Sequence, residues 1–95
     1  MLFVWDPEKA GDNIKKHGVS FEIAQTIFDD PFHLSVLDAK DHDEERWTTI
    51  GQSAHDKTLV VVHTYSIVEQ GQEFIRIISA RKATKQERRQ YEEGI

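Results

Sequence analysis

The sequence predicts a single α+β domain, residues 1–95, in which an antiparallel sheet carries its helices packed against it, in the order β-α-α-β-β-β-β-α. Three observations predict this. Apolar residues recur at helical spacing up to Pro31. Beyond Pro31 they alternate with polar residues or run as β-branched blocks such as Val60-Val61-Val62. The strand segments succeed one another across short turn-forming stretches, which favours antiparallel neighbours.

Residues 2–5 read as a short strand or extended start. Asp6-Pro7 then opens a helix, the aspartate as N-cap and the proline at the first helical position, where its missing N–H is harmless. Ala10, Ile14 and His17 share a face, and Gly18 provides the left-handed stop. Ser20 caps a second helix, which sets Phe21, Ala24, Ile27 and Phe28 on one side and ends at Asp29-Asp30-Pro31. Strands come next at residues 33–37, 46–50, 58–65 and 73–81; the third is apolar and β-branched throughout, as a central strand would be. An acidic stretch, 38–45, separates the first two of these strands, and a turn at 51–57 the next two. Thr84-Lys85-Gln86-Glu87 is a capping box that opens a closing helix over 84–92.

The length suits one core and no second domain. With no cysteine there is neither a disulfide frame nor a thiolate metal site, and no apolar run approaches the roughly 20 residues that span a bilayer. A reducing cytoplasm is the expected location. The net charge of -5 would argue against a nucleic-acid partner if it were evenly spread. It is not: residues 1–75 hold six basic and fourteen acidic side chains, whereas residues 76–95 hold six basic and three acidic. An anion site near the C-terminus is compatible with that division, although a basic helix end is more often a solvated face.

The five histidines, His17, His33, His42, His55 and His63, show no HExxH or His-x-His spacing, so they read as chance surface residues and not as metal ligands. Arg76 is more informative. It interrupts the apolar run of the last strand, and a guanidinium that cannot discharge must find a carboxylate, a phosphate or a watered cleft. Arg81 has the opposite parity, so strict alternation would send the two arginines to opposite faces unless a bulge or the strand's end re-aims Arg81. His63 and Tyr65 share a parity; burial in the core and proton transfer beside the arginines are both open to them. Glu45-Arg46 reads as a rim ion pair or as part of a site, and His17 as a helix C-terminal cap or a proton carrier. These residue types suffice to cut RNA without a metal, which needs help for the 2′-OH, cations around the phosphorane and a donor for the departing 5′-oxygen.

Over almost its whole length the sequence resembles the BrnT family of toxins. The resemblance rests on Phe3-Val4-Trp5-Asp6-Pro7 with Lys9, Asn13 and Lys16-His17-Gly18-Val19-Ser20-Phe21-Glu22, then Ala24 and Asp30-Pro31. It continues through Glu45-Arg46, Ile50-Gly51 and Val61-Val62-His63-Thr64-Tyr65. It closes on Ile75-Arg76-Ile77-Ile78-Ser79-Ala80-Arg81, Ala83-Thr84, Glu87-Arg88 and Tyr91-Glu92. It implies a RelE-like fold, a cofactor-free ribonuclease that arrests growth, and a BrnA-like antitoxin partner that reaches operator DNA with the toxin. It also implies a catalytic set of His17, Glu45, Tyr65, Arg76 and Arg81, with Arg46, Lys82 and Arg88 on the RNA. Ser66 departs from the family, many members of which carry a basic residue there. From another class, a non-catalytic module kept for complex assembly and operon control would show the same motifs.

Overall fold

The computed structural model describes residues 1–38 and 44–94. His42 and the centre of the acidic stretch lie outside them. The strands are β1 (Leu2–Val4), β2 (Leu34–Leu37), β3 (Trp47–Gln52), β4 (Thr58–His63), β5 (Ser66–Ile67) and β6 (Glu73–Lys82). The helices are α1 (Pro7–His17), α2 (Phe21–Ala24) and α3 (Lys85–Glu93). One sheet runs in the order β1-β6-β4-β3-β2, with β5 also paired to β6.

The caps act as the sequence says. Asp6 accepts from the Glu8 N–H, Ser20 from the Ile23 N–H, and Gly18 closes α1 at a φ of 71°, which only glycine adopts without strain. Thr84 and Glu87 complete the reciprocal capping box. The second helix is shorter than expected. After Ala24 it tightens into a 3-10 segment, Gln25–Asp29, a common way to end a helix shortly before a proline.

The antiparallel meander holds for β2, β3, β4 and β6, but the sheet is mixed, because β1 pairs parallel to β6 through Leu2–Phe74, Phe3–Ile75 and Val4–Arg76. That corrects the all-antiparallel expectation. The chain leaves β1 through two helices and four strands before meeting β6, so no tight turn dictates the direction of that pair. The expected strand over 58–65 ends at His63, and Ser66–Ile67 form a separate two-residue strand on β6.

α1 and α2 cover one face, which we call the helix face. Phe21, Ala24 and Ile27 meet Leu59, Val61, Ile75, Ile77 and Ala80 there, all buried. Gly51 is required at this contact. A Cβ on it would stand 3.1 Å from both Ile27 and His33, so a larger residue would push the 3-10 segment off the sheet. Asn13 of α1 is buried and fully bonded: its Nδ2 donates to the carbonyls of Val19 and Ala80, and its Oδ1 accepts the Ala80 N–H. α3 does not join the other helices on this face. Arg81 anchors it to the opposite one, and Tyr91 donates to Asp30, which also accepts the Gln52 N–H.

Candidate functional site

The placement of the arginines turns on one irregularity. Val62 opposes Ser79, but His63 opposes Ile77, so β6 contains an extra residue at Ile77-Ile78. A bulge of this kind reverses the alternation beyond it. Ile75 and Ile77 lie in the core before the bulge and Ala80 after it. Arg76 and Arg81 therefore both project from the second face. The condition under which the two could serve one surface is met, and the Ile77-Ile78 doublet between Arg76 and Ser79 was its visible sign.

On that face Arg76 is exposed and pairs with the exposed Glu44, at the end of the acidic stretch. Arg81 forms a two-pronged bond with Glu87 at 2.8 and 2.9 Å. This pair holds the Glu87 carboxyl down to about 2, chiefly through the Arg81 hydrogen bonds, and it occupies the guanidinium with fastening α3. Arg46 immediately precedes Trp47, whose partner is His63, so alternation aims Arg46 at the face that carries Arg76. Its Nε is buried without a hydrogen-bond partner among the described residues. Glu45 is exposed beside it.

The remaining expected residues do not gather there. His17 ends α1 next to Gly18 and Val19, which face Lys82 across a groove lined also by His55 and Lys57. Arg88 and Lys82 border a further groove with Lys57. This is the Leu59 end of the sheet, four strand residues or roughly 13 Å from His63. Tyr65 sits at the opposite end and on the helix face.

There a cleft of about 270 Å³ opens, walled by Phe28, Trp47 and Ile75. His33, Ser35, His63, Tyr65 and Glu73 also line it. The Tyr65 hydroxyl donates to Glu73 at 2.6 Å, which pushes the phenol above its ordinary value. His63 is 3% exposed, in agreement with its reading as a core residue of the central strand and not with the chance-surface reading of the five histidines. Its Nδ1 contacts the Thr64 carbonyl at 2.9 Å, so that nitrogen carries the proton. Nε2 is then an acceptor, and Thr49 donates to it at 2.7 Å; the Thr49 oxygen in turn accepts from the exposed Ser35 at 2.7 Å. Burial pushes the imidazole below its usual range, and nearby His33 adds to this against the opposing Thr64 bond. His33 points its Nδ1 at the Asp30 carbonyl, 2.7 Å away, and its ring and that of His63 both contact Phe28 edge-on.

Sequence reasoning missed His33, Glu73 and Glu44. The first two come together only when β2, β3, β4 and β6 are laid side by side, a relation that spacing along the chain does not carry.

A family model described as the ribonuclease toxin BrnT of type II toxin–antitoxin systems matches residues 5–87. No curated protein matches the sequence. Among solved structures, the crystal structure of the Brucella abortus ribonuclease toxin BrnT is similar, with a TM-score of 0.59 and 20% identity. That match covers 90% of this chain and all of the other. At such identity the likeness carries the fold.

Proposed function

Because the chain belongs to the BrnT family of ribonuclease toxins of type II toxin–antitoxin systems, we propose that it cleaves RNA on the second face of the sheet, without a metal. The bulge that sets Arg76 and Arg81 on one face carries this reading. Arg76 is the phosphate cation. Its exposed pair with Glu44 is worth about 0–1 kcal/mol, weak enough for a phosphate to displace. Arg46 tracks the backbone next to it, and Arg81, held by Glu87, positions α3 at the rim.

A displaced Glu44, or Glu45, then accepts the 2′-OH proton as the 2′-oxygen attacks phosphorus. The 5′-oxygen leaves with a proton from water, because Tyr65 lies on the helix face, giving a 2′,3′-cyclic phosphate and a 5′-hydroxyl. Arg76 stabilises the charge that develops between these two steps. His17, Lys82 and Arg88 lie too far along the sheet for any of these roles.

The partner in this reading is a BrnA-like antitoxin that covers Arg76 with acidic or aromatic residues and contacts operator DNA for the pair. The sheet with one face left to substrate is, on the same reading, RelE-like. A second reading, a non-catalytic assembly module, draws on the internal pairing of both arginines.

Purified chain incubated with RNA, with and without EDTA, tests the proposal. We expect cyclic-phosphate ends in both samples. Activity lost to EDTA and restored by a divalent cation overturns the metal-free mechanism. RNA left intact while the antitoxin still binds establishes the second reading.

A further inference from the structure

The cleft on the helix face has no part in the phosphate chemistry above, and its lining says why. Among the described residues around it there is no lysine or arginine, and one carboxylate, Glu73, is present. Its walls are the rings of Phe28 and Trp47 with Ile75. At about 270 Å³ it is just below the roughly 300–1,000 Å³ of sites that take drug-sized ligands, the right scale for a single planar heterocycle.

We propose that this cleft binds one nucleobase of the RNA, guanine before the others, stacked on Trp47 with its pairing edge on Glu73. The inference rests on the ribonuclease reading and names the substrate feature that the enzyme selects. Splayed bases of single-stranded RNA are held by stacking on aromatic side chains and by hydrogen bonds to their pairing edge. Tyr65 donates to one Glu73 oxygen, Oε2, and fixes the carboxylate. Acceptor capacity remains on that carboxylate for two neighbouring N–H groups. Guanine presents two side by side on its pairing edge, whereas adenine and cytosine present one exocyclic amine.

The architecture also gives a path from phosphate to base. β3 begins at Trp47 and β4 ends opposite it at His63, while β6 continues to Glu73 with, among the described residues, β5 and β1 beside it. The sheet therefore steps in at Trp47 and Tyr65. A nucleotide whose phosphate lies over Arg76 can pass its base around this step, from one face to the other. Behind the step, the bonded row of Ser35, Thr49 and His63 keeps the floor of the cleft rigid and uncharged.

The test uses nucleosides, which carry no phosphate, and reads tryptophan fluorescence of the intact chain. Guanosine should give a saturable change, with adenosine, cytidine and uridine at least tenfold weaker. Trp47→Phe should abolish the change, although Trp5 is still present. Glu73→Gln, at a half-buried site away from the core, should leave the circular dichroism intact and weaken guanosine about tenfold, bringing the four nucleosides together. On RNA the same variant should lose preference for guanosine at the cleavage site.

No saturable change with any nucleoside overturns the proposal, as does a change that inorganic phosphate abolishes. Cleavage without base preference in the wild type, unaltered by Glu73→Gln, also sinks it while leaving the ribonuclease reading intact. An RNA-inert chain that still binds guanosine does the reverse.

Discussion

On the helix face, the sheet presents Leu59, Val61, Ile75, Ile77 and Ala80 to the two N-terminal helices, and its polar members Thr49 and His63 satisfy each other. On the second face, the residues next to them in sequence include Arg76, Ser79 and Arg81, with carboxylates as partners for the two arginines. β6 supplies both surfaces from ten residues. Where burial is complete, polar atoms are bonded within the fold. Where the strand faces outward, the charged groups pair weakly and can change partners. The difference separates what holds the fold from what is available to a ligand, and mutations on the two faces should therefore fail in different ways.

The largest effect is expected from Arg76→Ala. Loss of a preorganised donor to the phosphorane costs about 2.7–4 kcal/mol, so RNA cleavage should fall by about two to three orders of magnitude. The melting temperature should stay nearly constant, because the lost pair is exposed. Arg76→Lys should recover part of the rate, since a point charge lacks the two-pronged hold. A large fall in melting temperature with unchanged activity per folded molecule would move Arg76 from the second-face chemistry to the structural side of the comparison.

On the helix face the pattern inverts. Asn13→Ala leaves the N–H and carbonyl of Ala80 and the carbonyl of Val19 without their partner. Each buried group left unpaired costs about 1–3 kcal/mol, so urea unfolding should show a loss of at least about 2 kcal/mol. The folded fraction should keep its activity.

Both outcomes depend on features that differ in how far the sequence reveals them. The caps at Asp6, Ser20 and Thr84 and the stop at Gly18 were legible because each acts within one helical turn. The parallel β1 was not: residue alternation is the same in parallel and antiparallel strands, and its partner lies some seventy residues away. The face shared by Arg76 and Arg81 was half legible. Parity forbade it, the condition for it could be stated, and the Ile77-Ile78 doublet that satisfies the condition has meaning only once β4 is laid beside it. His33 reads from the sequence only as a chance surface histidine and Glu73 passes unremarked, because a cleft formed by neighbouring strands leaves no spacing rule in the chain.

A smaller effect sharpens the comparison through pH. Folded His63 holds a proton less readily than an unfolded histidine, because it is buried. Below about pH 6.5 the unfolded chain takes up a proton that the folded one resists. Stability from this group is therefore full above that value and falls as pH drops toward the folded one. The melting temperature should decline between about pH 7 and 5, and His63→Gln should flatten the decline even where it lowers the starting value. An unchanged slope would exclude His63 as its source.

The smallest effect belongs to the rim. Glu87 has its carboxyl held at about 2 against 4.5, so its contribution is present above about pH 4.5 and lost as pH falls through about 2. Glu87→Gln should lower stability by about 1 kcal/mol near neutrality and remove that acid limb. It should also alter cleavage far less than Arg76→Ala does. A loss as large as that one would return Arg81 to the phosphate.

The amide of Asn13 has a consequence for solubility as well as stability. β6 is paired to β1 only through residues 74–76, so among the described residues its C-terminal half has no neighbouring strand on that side. An open strand edge is a template onto which another chain can add. By bonding both the N–H and the carbonyl of Ala80, Asn13 imitates one residue of a neighbouring strand and closes the edge at its centre. The helix that packs the core thus also guards the molecule against edge-to-edge self-association.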